Sequence, residues 1–221
     1  MSLKALFKAA VVALNAKNIR FAVAGGFAAD VYRLEPRVTM DVDFAIMSES
    51  DPARAAASVI ESLELKPGVV RMADFAGGPL FAIKRKSTPP CMMVGRRPGR
   101  PADAGVDLLL PTLPWVAKAI ERAQDNLIDF GFGSVPTLTV EDVMLSKLFA
   151  LSSAAMRAKD MDDLQSIAAA DHDVNIPYLA GQLNHLQITV QRGAKPFLPK
   201  PILALVRDAE RSARARKKEA R

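Results

Sequence analysis

Residues 20–46 read RFAVAGGFAADVYRLEPRVTMDVDFAI, and the fold turns on this stretch. It opens with a short apolar run, Phe21-Ala22-Val23-Ala24, and passes through the pair Gly25-Gly26. A helix-like segment runs from Phe27 to about Leu34, then come Arg37, Thr39 and Asp41-Val42-Asp43-Phe44. The order is strand, glycine turn, helix, strand. Side chains two apart on a strand share a face. Asp41 and Asp43 therefore project together, with Val42 and Phe44 turned to the opposite, core side. Two carboxylates side by side repel one another and make poor structural residues. As oxygen donors they suit a hard cation.

The totals bound the rest. At 221 residues, half of them hydrophobic and 24% charged, the chain has the composition of an ordinary soluble globular protein. It is long enough for a sizeable core in one large domain or two modest ones. No apolar run approaches the roughly 18–20 residues of a membrane span, so no membrane partner is expected. The opening MSLKALFKAAVVALNAKN has a short apolar centre, but Lys4, Lys8 and Lys17 interrupt it. An amphipathic helix is expected there rather than a signal peptide. The single cysteine, Cys91, excludes an internal disulfide and fits a reducing, cytoplasmic setting. His172 and His185 are too few for a histidine-rich metal site.

The net charge is +6, and its placement matters more than its size. Residues 84–100 hold Lys84, Arg85, Lys86, Arg96, Arg97 and Arg100 with no acid. The tail carries Arg207, Arg211, Arg214, Arg216, Lys217, Lys218 and Arg221 against Asp208, Glu210 and Glu219. Each run reads two ways: attraction to nucleic acid or nucleotide phosphates, or a solvated loop and a helix end whose dipole suits cations. The solvated reading is preferred for the tail; the 84–100 cluster stays open.

Around the central stretch, a helix is expected over residues 2–17, capped by Ser2, with Leu3, Leu6, Phe7, Ala10, Val11 and Leu14 on one face. Asp51-Pro52 starts another that runs to about Leu65, where Lys66-Pro67-Gly68 stops it. Short strands are expected at 69–72, 80–84 and 92–94, and an exposed loop at 96–104. Residues 105–111, GVDLLLP, form a nearly unbroken apolar strand containing Asp107. A carboxylate there must be paired, hydrogen-bonded or metal-bound; a strand-edge Asp bonded to backbone and a site Asp are both open. A helix over 113–124 and a hairpin over 127–138 follow. Thr139 and Asp142 then start a helix that carries Lys147, with Asp142 in place of the usual capping-box Glu or Gln. Further helices are expected at 158–169, with Asp160, Asp162 and Asp163 in its first turn, at 176–186 and at 202–216. The fold class is α/β (α+β): a mixed β-sheet core flanked by helices over 1–138, then an all-helical part over 139–221.

Three carboxylates, Asp41, Asp43 and Asp107, suit Mg²⁺, which takes oxygen ligands from a few carboxylates and completes its shell with substrate phosphates and water. Two such ions activate an attacking hydroxyl and stabilise a leaving pyrophosphate. A Gly-Gly turn at a helix N-terminus offers bare backbone N–H groups to a phosphate, with no Cβ in the way. Together the parts match nucleotidyl transfer from a nucleoside triphosphate.

The Gly-Gly…Arg-x-Thr-x-Asp-x-Asp-Phe arrangement resembles the nucleotidyltransferase superfamily of DNA polymerase beta type. It is most similar to the bacterial and archaeal branch that holds the AbiEii- and AbiGii-type abortive-infection toxins and related nucleotidyltransferases. The matching residues are Gly25-Gly26, Arg37-Val38-Thr39-Met40-Asp41-Val42-Asp43, and Asp107 as the third carboxylate. Downstream lie a lysine helix, Val140 through Lys147-Leu148, and Arg157-Ala158-Lys159-Asp160-Met161-Asp162-Asp163-Leu164. The likeness covers residues 20–170, about two thirds of the chain. Fourteen residues separate Gly26 from Asp41, at or beyond the long end for the superfamily. The last fifty residues have no recognised counterpart.

The resemblance implies a cytoplasmic enzyme dependent on two Mg²⁺ ions, with Mn²⁺ as a substitute. Asp41, Asp43 and Asp107 would be its catalytic and metal-binding residues. Gly25, Gly26, Arg37, Thr39 and Lys147 would bind the nucleotide, ATP or another triphosphate. Lys147 either neutralises phosphate charge or is a surface lysine. Arg37 and Thr39 either contact phosphate or brace the strand, and bracing is favoured for Thr39. Lys159, Asp160 and Asp163 either serve the reaction or form an ion-pair network fixing the helical part to the catalytic part, the latter being favoured. The acceptor hydroxyl would belong to RNA, a protein or a small molecule. The toxin of a toxin–antitoxin pair is one version, with tRNA as acceptor and an antitoxin protein as partner. A non-catalytic nucleotide- or RNA-binding module on the same fold is the alternative from another class; the presence of all three carboxylates argues against it.

Overall fold

A computed structural model describes residues 1–71, 88–100, 103–153 and 157–219. Its centre is a five-stranded sheet of order β1-β2-β5-β4-β3. The strands are β1 (Arg20–Val23), β2 (Asp41–Met47), β3 (Lys66–Arg71), β4 (Pro90–Arg96) and β5 (Gly105–Leu109). β2 and β5 pair parallel and every other pair is antiparallel, so the sheet is mixed, as expected.

Helix α1 (Leu3–Ala16) is capped by Ser2, whose hydroxyl accepts from the Ala5 N–H. Its buried side chains are Leu6, Phe7, Ala10 and Leu14, the stripe expected of an amphipathic helix. Phe7 packs against Phe44 of β2, 5.6 Å between ring centroids, and against Phe130 and Phe132 at 4.8 and 5.2 Å. The core side of β2 is therefore the Val42/Phe44/Ile46 face, which leaves Asp41 and Asp43 on the other. Helix α3 (Pro52–Ser62) starts at Asp51, whose carboxylate accepts from the N–H groups of Ala53 and Arg54.

Lys66-Pro67-Gly68 do not form a stop but open β3, paired with Arg96, Gly95 and Val94. Proline is tolerated there because, among the described residues, β3 is the last strand of the sheet, where one N–H needs no partner. The chain turns earlier, at Glu64, in the left-handed region at φ 59°. β4 is likewise longer than its apolar centre, and Arg96 belongs to it rather than to the following loop. The strand expected at 80–84, with Lys84, Arg85 and Lys86, lies outside the described residues.

Helix α2 (Gly25–Tyr32) follows β1, and α4 (Val116–Ala123) follows β5. The hairpin β6 (Leu127–Asp129) and β7 (Ser134–Pro136) returns the chain to β1. There the Leu138 N–H donates to the Val23 carbonyl. The helices α5 (Val140–Ser153), α6 (Ala158–Ala169), α7 (Ile176–His185) and α8 (Lys200–Glu219) complete the fold. Thr139 and Asp142 meet side chain to side chain at 2.9 Å, and Arg122 of α4 joins them by donating to Asp142 and Glu141. The Arg122 guanidinium lies 3.7 Å from the Tyr178 ring centroid, so one cation ties α4, α5 and α7 together. A single hydrophobic cluster runs from Leu6 to Ala209. Among the described residues no helix is long and apolar enough to cross a membrane.

Candidate active site

The parallel register of β2 and β5 sets Asp41 beside Gly105 and Asp43 beside Asp107. Partners across a ladder share a face, so the three carboxylates stand together on the side of the sheet away from Phe44. Sequence alone left open whether Asp107 comes beside the Asp41/Asp43 pair; it does. A different donor holds each carboxylate. Asp41 Oδ1 accepts from the Gly105 N–H at 3.0 Å, and Asp43 Oδ2 from the Gly26 N–H at 3.4 Å. Asp107 Oδ1 accepts from Arg96 Nη1 at 2.6 Å rather than from backbone. The other end of that guanidinium, Nη2, lies 3.6 Å from Asp41 Oδ2.

The cluster is short of positive charge. Burial, and next the Asp107 charge, push the Asp43 carboxyl up to about 7, against the pull of Lys147 and the Gly26 N–H. Burial also raises Asp107, with Arg96 opposing. Among the described residues, no three Asp, Glu, His or Cys side chains converge closely enough to hold a metal as they stand; the Gly26 and Gly105 N–H groups and Arg96 each donate to one of the three carboxylates. The donor chemistry fits a hard divalent cation: three carboxylates on adjacent strands, with excess negative charge. Asp41, Asp43 and Asp107 are the side chains that would hold it.

The glycine pair forms the opposite wall. Gly25 opens α2 at φ 57°, in the left-handed region, and a Cβ there would overlap the Asp43 carboxylate. A Cβ on Gly26 would sit 2.5 Å from Thr39 Oγ1. The helix N-terminus is thus pressed against the acids, and only glycine permits it. Gly25→Ala is expected to cost about 1–2 kcal/mol from the left-handed backbone alone, and more from the overlap with Asp43. Gly181→Ala is the control: it lies inside α7 with nothing within 4 Å of its Cβ, and should be neutral or gain up to about 1 kcal/mol. Thermal denaturation of the two variants checks both.

The remaining expected residues brace this wall. Thr39 Oγ1 donates to the Asp41 carbonyl at 3.3 Å. Arg37 makes a fork to Asp163, Nε to Oδ1 at 2.7 Å and Nη2 to Oδ2 at 2.9 Å. Lys147 is not a surface lysine; it is buried, with Nζ 3.0 Å from Asp160 and 2.7 Å from Asp163. Asp160 and Asp163 form the ion-pair network the sequence suggested, while Lys159 stays exposed. Burial opposes ionisation of Asp163, but the Arg37 hydrogen bonds and Lys147 override it and hold its carboxyl at about 2.

Gly25, Gly26, Arg37, Thr39, Asp41, Asp43, Asp107 and Lys147 all line one cavity of about 320 Å³. Met92, Leu109, Leu113, Trp115 and Phe149 give it an apolar wall, and Arg157 and Lys159 reach its rim. Two site residues escaped the sequence reading. Arg33 donates to Asp163 at 2.7 Å and pairs with Asp162 at 2.9 Å; Asp30, one turn earlier, was its available signal. Arg96 falls in the basic run 84–100 of the sequence, although it keeps the parity of Met92 and Val94 in β4.

No protein-family model matches this chain, and no curated protein matches it. Solved structures do. The antibiotic-resistance factor ANT(2'')-Ia superposes with a TM-score of 0.50 at 12% identity, over 82% of this chain and 91% of that one. The chain has a nucleotidyltransferase-like fold. Two further structures align at lower scores. One is an antigenic nucleotidyltransferase-like protein from Paracoccidioides brasiliensis, with a TM-score of 0.45 and 19% identity over 84% of this chain and 88% of that one. The other is JHP933 from Helicobacter pylori, with a TM-score of 0.44 and 12% identity over 99% and 97%.

Proposed function

We propose that the chain is a metal-dependent nucleotidyltransferase that moves NMP from a nucleoside triphosphate to a hydroxyl. The observation that carries this reading is the Asp43–Asp107 pair in parallel register, with the Gly25-Gly26 helix start against it. Bound between Asp41, Asp43 and Asp107, one or two Mg²⁺ ions, or Mn²⁺ in their place, would supply Lewis-acid stabilisation of the phosphoryl oxygens. The Gly25 and Gly26 N–H groups bind triphosphate oxygens at the positive end of α2. The acceptor oxygen forms a bond to the α-phosphorus, the bond to the β-phosphate oxygen breaks, and pyrophosphate leaves. Asp107, across from Asp43, takes the hydroxyl proton. Lys147 acts from the cavity wall as a fixed positive charge, held by Asp160 and Asp163.

In this reading residues 1–138 are the catalytic part and 139–221 the helical part that carries Lys147 to it. RNA, including tRNA, a protein and a small molecule are the acceptor classes; a toxin with an antitoxin partner, of AbiEii or AbiGii kind, is the specific form with an RNA acceptor. The chain is incubated with α-labelled triphosphates, Mg²⁺ and either total RNA or the protein alone. Transfer by the wild type, lost in both Asp41→Ala and Asp107→Ala, supports the three-carboxylate site. No transfer by the wild type, with triphosphate binding unchanged in Asp43→Ala, sinks the enzyme and leaves a binding module.

A further inference from the structure

Arg96 has no part in the transfer just described, yet it pairs with two of the three carboxylates proposed to hold the cation. It ends β4, one step beyond the Gly95–Val106 pair, so that it lies opposite Gly105. Gly105 in turn pairs with Asp41. Arg96, Gly105 and Asp41 thus form a row across three strands whose middle member has no side chain. A Cβ on Gly105 would overlap Arg96 Nη1; the guanidinium occupies the space that glycine leaves. From there Nη1 donates to Asp107 Oδ1 at 2.6 Å and to the Gly95 carbonyl at 3.0 Å, and Nη2 lies 3.6 Å from Asp41 Oδ2. The side chain is 33% exposed, so it has a way out.

We propose that Arg96 is a built-in counter-ion that competes with the divalent cation for Asp41 and Asp107, holding the two acids together without metal and withdrawing when metal binds. The inference rests on the metal-dependent reading above. A guanidinium stays protonated at any working pH, so it cannot vacate the acids by losing its charge. It must move. An oxygen lone pair directed at Nη1 is not available to a cation, and two positive charges a few ångströms apart repel strongly in a half-buried site. Metal affinity is therefore lower than three carboxylates alone would give. Arg96 acts through Asp41 and Asp107 and is a positioning residue, not a catalytic one.

Mn²⁺ binding to the full chain, followed by the loss of the free-ion electron paramagnetic resonance signal, tests this without any activity assay. Arg96→Met is expected to bind Mn²⁺ about tenfold more tightly than the wild type, the scale of one lost ion-pair competitor, with Arg96→Lys in between. Its metal-free melting temperature should fall, and Mn²⁺ should restore it. Equal or weaker Mn²⁺ binding by Arg96→Met, with a melting deficit that Mn²⁺ does not repair, makes Arg96 a structural brace and overturns the inference while leaving the metal site intact. Asp41→Asn separates the two levels. Binding by the wild type that disappears in Asp41→Asn upholds the metal reading whatever Arg96→Met does; no Mn²⁺ binding by any of these proteins removes that reading and this inference together.

Discussion

Asp163→Ala is expected to destabilise the protein by about 3–5 kcal/mol, the range for breaking a buried ion pair from one side. Asp163 is fully buried on α6 and meets three cations: Arg33 at 2.7 Å, Arg37 at 2.7 Å and Lys147 at 2.7 Å. Arg33 and Lys147 are themselves only 7% and 8% exposed. Alanine strands all three without their shared anion. The damage is also local to the site, since Arg37 and Thr39 lead into β2 and Lys147 lines the cavity. Asp162→Ala is the matched control. Asp162 also pairs with Arg33, but its side chain is 59% exposed, so its loss should cost under about 1 kcal/mol. Urea denaturation with an unchanged slope measures both.

The same carboxylate predicts an acid transition. In the folded protein it is held at about 2, below the roughly 3.9 of a free Asp. A depressed acid stabilises the fold above its unfolded value and loses that contribution as pH falls through the folded one. The shift corresponds to about 2 kcal/mol, present in full above about pH 5 and lost towards pH 2. Stability measured across that window should fall less steeply in Asp163→Asn than in the wild type.

Local rules made much of this molecule readable before its structure. Alternation placed Asp41 and Asp43 on one face and Phe44 on the other, and Ser2, Asp51-Pro52 and the glycine pair marked helix starts that the structure keeps. Whatever depends on non-local pairing was harder to read. β2 and β5 are neighbours in the sheet although two strands lie between them in sequence. No short-range signal puts Asp107 against Asp43; only the family likeness did. Lys66-Pro67-Gly68 has the chemistry of a stop, but pairing to β4 outweighs it at an edge. The same pairing draws Arg96 out of a loop-like run and into the site. Arg37 and Lys147 face Asp163 because α5 and α6 fold back over α2, and charge patterning along the chain does not encode that geometry.

Asp43→Asn should move activity and stability in opposite directions. Nucleotidyl transfer is expected to fall by roughly 10³-fold or more, about 4 kcal/mol of transition-state stabilisation, because an amide is a poor ligand for a hard cation and carries no charge. The metal-free protein should at the same time gain about 1 kcal/mol or more, a rise of a few degrees in melting temperature. Burial and the facing Asp107 push the Asp43 carboxyl up to about 7, so its charge is held against a cost. Asparagine keeps the shape and an oxygen for the Gly26 N–H while removing that repulsion. A residue kept for packing shows the reverse pattern, with lower stability and little change in rate. Mg²⁺ is expected to raise the melting temperature of the wild type and to leave that of the variant unchanged. If Asp43→Asn melts lower than the wild type and transfers at the same rate, Asp43 is a structural acid and the site must lie elsewhere. A higher melting point joined to a dead enzyme means that the fold carries Asp43 at a loss, for the sake of the cation it would hold.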